Sequence, residues 1–257
     1  MITENISIKR DGLTLRGDLS RPDIEKCPAA IIFHGIMADR GSGGGMFSRM
    51  TESLVKKGIA VVKFDFDGHG ESDGDFSDMS VLSELLDASK IVEYVRSLSF
   101  ITDIYIIGHS QGGVVGGMTA GYYRDCVSKL VMLAPAATLK DDAVNGTCFG
   151  IKYDTFNVPE IIRLRNIHGK SYYVGGFYFR TASTLPIYEV TSRFEGKTLI
   201  IHGSKDEAVE VVGAKRYKES MKNAVLEIIE GENHGLCAFS LDYVIERTAD
   251  FLCDEQA

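Results

Sequence analysis

The residues with the most chemical content are Gly108-His109-Ser110-Gln111-Gly112-Gly113, which follow the apolar run 104–107. A serine with glycines two positions away on each side can sit at a sharp strand-to-helix turn with its hydroxyl pushed clear of the backbone. The flanks meet that requirement: Tyr105-Ile106-Ile107 reads as a buried strand, and Gln111 onward as a helix of small residues. Ser110 is therefore a candidate nucleophile for acyl transfer. A serine hydroxyl is weak by itself and needs a base in reach, with a third group to orient that base.

The elbow goes with a chain order of serine, then acid, then histidine. Of the six histidines, His34 and His109 belong to strand-end motifs, His69 lies in Asp67-Gly68-His69-Gly70, His168 lies further on, and His202 ends a strand. His234, in Glu232-Asn233-His234-Gly235 after the last strand, stands where the ordering places the base. The acid is expected in the loop His202-Gly203-Ser204-Lys205-Asp206-Glu207. Asp206 is the choice and Glu207 its neighbouring competitor. His234 would take the Ser110 proton and pass it to the leaving group, while Asp206 fixes the imidazole tautomer. The developing oxyanion needs two pre-aimed backbone N–H donors. Gln111, after the nucleophile, supplies one; Ile36, after His34-Gly35, supplies the other.

These groups need a scaffold. Residues 6–9 and 13–19 flank Asp11-Gly12 and read as a hairpin. Short apolar runs at 29–33, 59–64, 104–107, 129–133, 197–201 and 225–229 read as buried strands. Helical spacing appears at 47–57, 79–98, after Gln111, at 209–220 and at 238–253. Alternating strands and helices predict an α/β fold with a mostly parallel sheet of about eight strands and helices on both faces. Between Ala136 and Thr191 the pattern lapses into Tyr-, Phe- and Gly-rich sequence, so the core is expected at 1–135 and 192–257, with an insertion at 136–191 after the sixth strand.

Composition narrows the function classes. With 257 residues and 44% hydrophobic content the chain can bury one large core. A net charge of −8 without a long basic run argues against nucleic acid. Cys27, Cys126, Cys148, Cys237 and Cys253 are scattered and odd in number, which suggests neither a disulfide framework nor a metal site. No leader pattern opens the chain and no apolar run is long enough for a membrane span, so a cytoplasmic protein is expected. No cofactor is called for. Gly41-Ser42-Gly43-Gly44-Gly45 lacks the Lys-Ser/Thr ending of a phosphate loop and reads as a flexible pocket rim.

Together, His34-Gly35, Asp67-Gly68-His69-Gly70-Glu71-Ser72, Gly108–Gly113, Gly203-Ser204-Lys205-Asp206 and Asn233-His234 resemble the α/β-hydrolase superfamily over nearly the whole chain. Leu133-Ala134-Pro135-Ala136-Ala137, Gly175-Gly176-Phe177-Tyr178 and Leu185-Pro186-Ile187-Tyr188 look like small bacterial cinnamoyl (feruloyl) esterases. That resemblance implies a lid at 136–191 over the serine and a pocket for the aromatic acyl group of hydroxycinnamate esters. It implies Asp142 and Tyr178 as partners of the phenolic hydroxyl. Phe149 stands where those relatives carry glutamine, a departure that shifts preference toward less polar ring substituents. His34 and His109 join the same substrate-binding set, and Cys237 is expected in a pocket wall.

The expected activity is hydrolysis of feruloyl, coumaroyl or caffeoyl esters through an acyl-enzyme, on a small aromatic substrate. The alternatives are an aliphatic esterase, lipase or thioesterase, and a non-catalytic binding protein on the same fold. A peptidase is disfavoured by the lack of a propeller-sized N-terminal domain. Aromatic-rich lids often meet a partner subunit, which leaves a homodimer open.

Overall fold

The computed structural model describes residues 1–42, 45–166 and 169–254. Gly43 and Gly44 of the glycine-rich loop, and His168, lie outside the described residues.

Strands β1 (Ile2–Arg10) and β2 (Leu13–Arg21) are joined by Asp11 and Gly12, whose φ values of 48° and 89° are the paired positive angles of a tight hairpin turn. Both strands run past the apolar alternation because the ladder pairs them from Arg10↔Leu13 to Ile2↔Arg21. An edge strand with one wet face needs little apolar patterning to stay paired. β3 (Cys27–Phe33), α1 (Met46–Lys56), β4 (Ala60–Phe64), α2 (Val81–Ser97), β5 (Ile101–His109), α3 (Gln111–Tyr122) and β6 (Val127–Leu133) follow.

The chain then leaves the sheet. It forms α4 (Leu139–Val144), a small hairpin of β7 (Thr147–Cys148) and β8 (Ile151–Lys152), a second of β9 (Ile161–Arg165) and β10 (Ser171–Gly175), then α5 (Gly176–Ala182) and α6 (Ile187–Thr191). It returns as β11 (Lys197–Gly203), α7 (Val211–Ser220), β12 (Ala224–Ile229) and α8 (Leu241–Cys253). The four short strands of the excursion fall where the sequence showed no clear period.

The main sheet has eight strands in the order β1-β2-β4-β3-β5-β6-β11-β12. β1 and β2, and β2 and β4, are antiparallel, and every later pairing is parallel. Alternate residues of β3 show how the sheet is filled on both sides. Ala29, Ile31 and Phe33 join the core under α2, α3 and the excursion; Ala30 and Ile32 join the core under α1 and α8. α2 is started by a capping box in which Ser80 and Ser83 bond each other's backbone N–H.

This topology makes the site. The chain leaves β3 through α1 to reach β4 on one side, then crosses through α2 to β5 on the other. Opposite departures from neighbouring parallel strands open a crevice at their carboxyl ends. Ser110 follows β5, Asp206 follows β11 and the His234 loop follows β12, so all three fall at that edge.

Candidate active site

Ser110 adopts φ 57° and ψ −123°, a backbone region that costs a non-glycine residue roughly 1–3 kcal/mol. The surroundings hold it there. Its N–H donates to Leu133 O (2.9 Å), and its carbonyl accepts from Gly113 N (2.9 Å) and Ala136 N (3.0 Å). A Cβ at Gly108 would lie 2.1 Å from Gly112 O, so only glycine allows helix α3 to begin so close to its own strand. A Cβ at Gly35 would lie 2.9 Å from the Ser110 Cβ, which places the loop after β3 directly against the serine.

His234 bridges the other two predicted residues. Its Nε2 is 2.9 Å from Ser110 Oγ and its Nδ1 is 2.7 Å from Asp206 Oδ2. An ionised carboxylate accepts only, so Nδ1 carries the proton and Nε2 is free to accept from the serine. Burial raises the Asp206 pKa, but hydrogen bonds from His202 and His234 outweigh it and hold the carboxyl well below the usual carboxylate range. Asp206 Oδ1 accepts from the N–H groups of Ala208 (2.9 Å) and Val209 (2.8 Å), locking the loop that carries it. Glu207 is exposed. Of the two adjacent acids, Asp206 is the one that meets His234.

The Ile36 and Gln111 N–H groups have no backbone acceptor among the described residues. Gln111 is the first residue of α3, where a helix leaves its N–H groups free. Ile36 follows Gly35, which touches Ser110. Both expected oxyanion donors therefore flank the serine.

The histidines assigned to substrate both meet backbone groups. His34 is buried; its Nε2 accepts from Phe66 N–H (3.1 Å), so Nδ1 carries the proton and donates to Gly35 O (2.9 Å). Burial pushes its pKa down to about 4. It braces the peptide between Gly35 and Ile36. His109 Nε2 lies 3.1 Å from His234 O, and the two rings pack 5.1 Å apart. Burial and the neighbouring His234 lower its pKa to about 4, so it donates as a neutral ring and supports the His234 backbone.

Tyr178, expected to meet a phenolic hydroxyl, is wholly buried and donates its O–H to Gln111 Oε1 (2.5 Å). Its hydroxyl is claimed by the elbow because α5 packs down on α2 and α4. Phe149 is 38% exposed, with its ring 5.9 Å from that of Tyr178. Asp142 is half-buried on α4, accepts from Thr138 Oγ1 (2.9 Å), and has its pKa raised by burial. It borders a surface groove of about 580 Å³ lined also by Asp141, Asn145, Glu210 and Arg216. Cys237 is exposed.

Three residues that sequence reasoning missed complete the surroundings. His202 Nε2 donates a second hydrogen bond to Asp206 Oδ2 (3.0 Å). Its position at the end of β11, four residues before the acid, was the available signal. Glu232 is buried and accepts from the N–H groups of Asn233, Ala238, Phe239 and Ser240 and from the Ser240 hydroxyl. Burial raises its pKa, yet those donors lower it to about 2. One carboxylate thus ties the loop around His234 into shape. Glu84 of α2 is buried against the Gln111 side chain (2.8 Å), far from Ser110 in sequence.

Comparison with known proteins agrees with this architecture. Residues 25–153, half of the chain, match the family model described as serine aminopeptidase, S33, a hydrolase family. The chain belongs to that family, within the α/β-hydrolase superfamily. It superposes on Est1E from Butyrivibrio proteoclasticus with ferulic acid bound at 33% identity and a TM-score of 0.89, covering 96% of this chain and 97% of that one. Among curated sequences it is 24% identical to the monoacylglycerol lipase ABHD6 of Rattus norvegicus, over 88% of this chain and 75% of the relative. It is 26% identical to the human serine hydrolase BPHL, over 87% of this chain and 79% of that one. The protein is an α/β hydrolase with esterase and lipase relatives.

Proposed function

We propose that the chain is a serine carboxylesterase that hydrolyses hydroxycinnamate esters through an acyl-enzyme. The observation that carries the esterase reading is the unbroken chain from Ser110 Oγ through His234 to Asp206, at 2.9 and 2.7 Å. Ser110 attacks the ester carbonyl as His234 Nε2 takes its proton. The tetrahedral oxyanion is held by the Ile36 and Gln111 N–H groups, and Asp206 stabilises the imidazolium. His234 then protonates the departing alcohol. Water repeats the sequence on the acyl-enzyme and releases the acid.

The aromatic acyl preference is supported by the likeness to Est1E with ferulic acid bound. On this reading residues 136–191 form a lid, Asp142 meets the ring hydroxyl and Phe149 gives an apolar wall. A buried polar group built to bind a hydroxyl discriminates strongly against substrates that lack it. We place the protein in the cytoplasm, where its five free cysteines stay reduced. No helix among the described residues is long and apolar enough to cross a membrane.

A second reading, preference for aliphatic acyl esters, is favoured by the likeness to a monoacylglycerol lipase. A panel of methyl ferulate, methyl p-coumarate, chlorogenate and p-nitrophenyl butyrate separates the two. The primary reading predicts kcat/KM at least about ten-fold higher for the aryl acyl esters than for matched aliphatic methyl esters. The reverse order supports the aliphatic reading.

A further inference from the structure

The side chain of Gln111 is held at both ends. Its Oε1 accepts from Tyr178 O–H at 2.5 Å and its Nε2 donates to Glu84 Oε2 at 2.8 Å. Gln111, Tyr178 and Glu84 are 1%, 0% and 0% exposed. With the Tyr178 O–H donating and Glu84 Oε2 accepting, the amide is held in one orientation. The bracket joins three elements: α5 of the excursion, the first residue of α3, and α2 beneath them.

Glu84 is an unusual anchor. Its Oε1 has no hydrogen-bond partner among the described residues, and its neighbours are the acids Asp67 and Asp87. The nearby cation, Arg10, is taken up by Asp87 (2.6 Å) and Asp67 (3.0 Å). Burial, with the charges of Asp67 and Asp87, raises the Glu84 pKa well above its ordinary value. Its Oε2 nevertheless serves Gln111 as acceptor. Such a group is costly to bury, and packing alone does not need it.

We infer that Tyr178 and Glu84 are positioning residues that act through Gln111, gripping its amide from both sides so that its backbone N–H is fixed beside Ser110. The inference rests on the reading that this N–H stabilises the oxyanion. Donor placement matters there: a loss of alignment lowers kcat for every ester, whatever its acyl group, because the oxyanion is common to all. It also gives Tyr178 a role different from contact with a substrate phenol, since its proton is already committed.

The test uses the full-length protein with methyl ferulate and p-nitrophenyl butyrate. Tyr178→Phe keeps the ring and removes the grip. It should lower kcat about ten-fold on both esters while KM stays within about two-fold. Glu84→Ala should act in the same direction, and Glu84→Gln, which keeps a neutral acceptor oxygen, should recover most of that loss. A fall confined to KM for methyl ferulate would mean that Tyr178 touches the substrate and would overturn the inference. So would an unchanged kcat on both esters. If Tyr178→Phe does not fold, the Glu84 pair decides: equal kcat in Glu84→Ala and Glu84→Gln overturns it, and recovery in the latter supports it. A wild type inactive on both esters ends the esterase reading and this inference together. Wild-type turnover that is lost in Ser110→Ala but undiminished in Tyr178→Phe ends this inference alone.

Discussion

The strand-end loops around Ser110 and the excursion from α4 to α6 are built on different principles. In the loops the backbone does the placing. Ser110 is held at φ 57° by three main-chain hydrogen bonds, Asp206 by two N–H groups of its own turn, and the His234 loop by Glu232. Each side chain has one place to go. In the excursion, short helices and two-stranded hairpins are held by aromatic packing, such as Tyr178 on Phe179 (5.2 Å) and Tyr153 on Phe179 (5.0 Å). Packing of that kind tolerates many residues and fixes few polar positions. On the proposed reading the loops carry the triad and the excursion selects the acyl group.

That contrast can be broken at several points. The largest effect is expected at Ser110: Ser110→Ala should cut kcat by about 10⁴-fold or more on every ester, and adding His234→Ala should cost little further, because the two act as a unit. Asp206→Asn should lower kcat by about 10³–10⁴-fold by favouring the wrong imidazole tautomer. A loss below ten-fold, measured by steady-state kinetics, would mean that another group orients His234.

Next comes Glu232. Glu232→Ala removes the shared acceptor of four N–H groups, that of buried Ser240 among them, and should cost about 2 kcal/mol in urea unfolding. Its folded pKa of about 2 lies below its ordinary value of 4.5. The stabilisation is therefore complete above pH 4.5 and disappears as pH falls toward 2, because the unfolded chain takes up the proton first. The stability difference between wild type and Glu232→Gln should shrink over that interval; a constant difference would refute the assignment.

The smallest effect separates the two regions. Asp142→Ala should raise KM for methyl ferulate about ten-fold and leave p-nitrophenyl butyrate within about two-fold. Equal losses on both esters would make Asp142 a structural residue of α4.

The same division governs what could be read from the chain. The eight-stranded sheet was visible because buried parallel strands leave continuous apolar runs, as at Ile31 and Ile106. The candidate triad was visible because a strained turn demands glycine, and the strand order puts the acid and the base in known loops. The backbone contacts of His34 and His109 were not legible, since a histidine near a nucleophile can point into the site or away from it, and its hydrogen-bond partners are distant in sequence. Nothing local to Tyr178 indicates that its hydroxyl reaches Gln111, 67 positions away. Glu84 and Glu232 left no motif: a buried carboxyl is defined by what folds around it. The short strands β7 to β10 were missed because they are too brief to show a period.

The central claim is that Ser110 carries the acyl group of a hydroxycinnamate ester. It is tested most directly by rapid acid quench of the enzyme during turnover of methyl ferulate, followed by mass spectrometry of its peptides. The account predicts a feruloyl adduct on the peptide containing Ser110, formed and lost at rates compatible with turnover, and absent in Ser110→Ala. Turnover of methyl ferulate that persists in Ser110→Ala, or an adduct found on another residue, would contradict it.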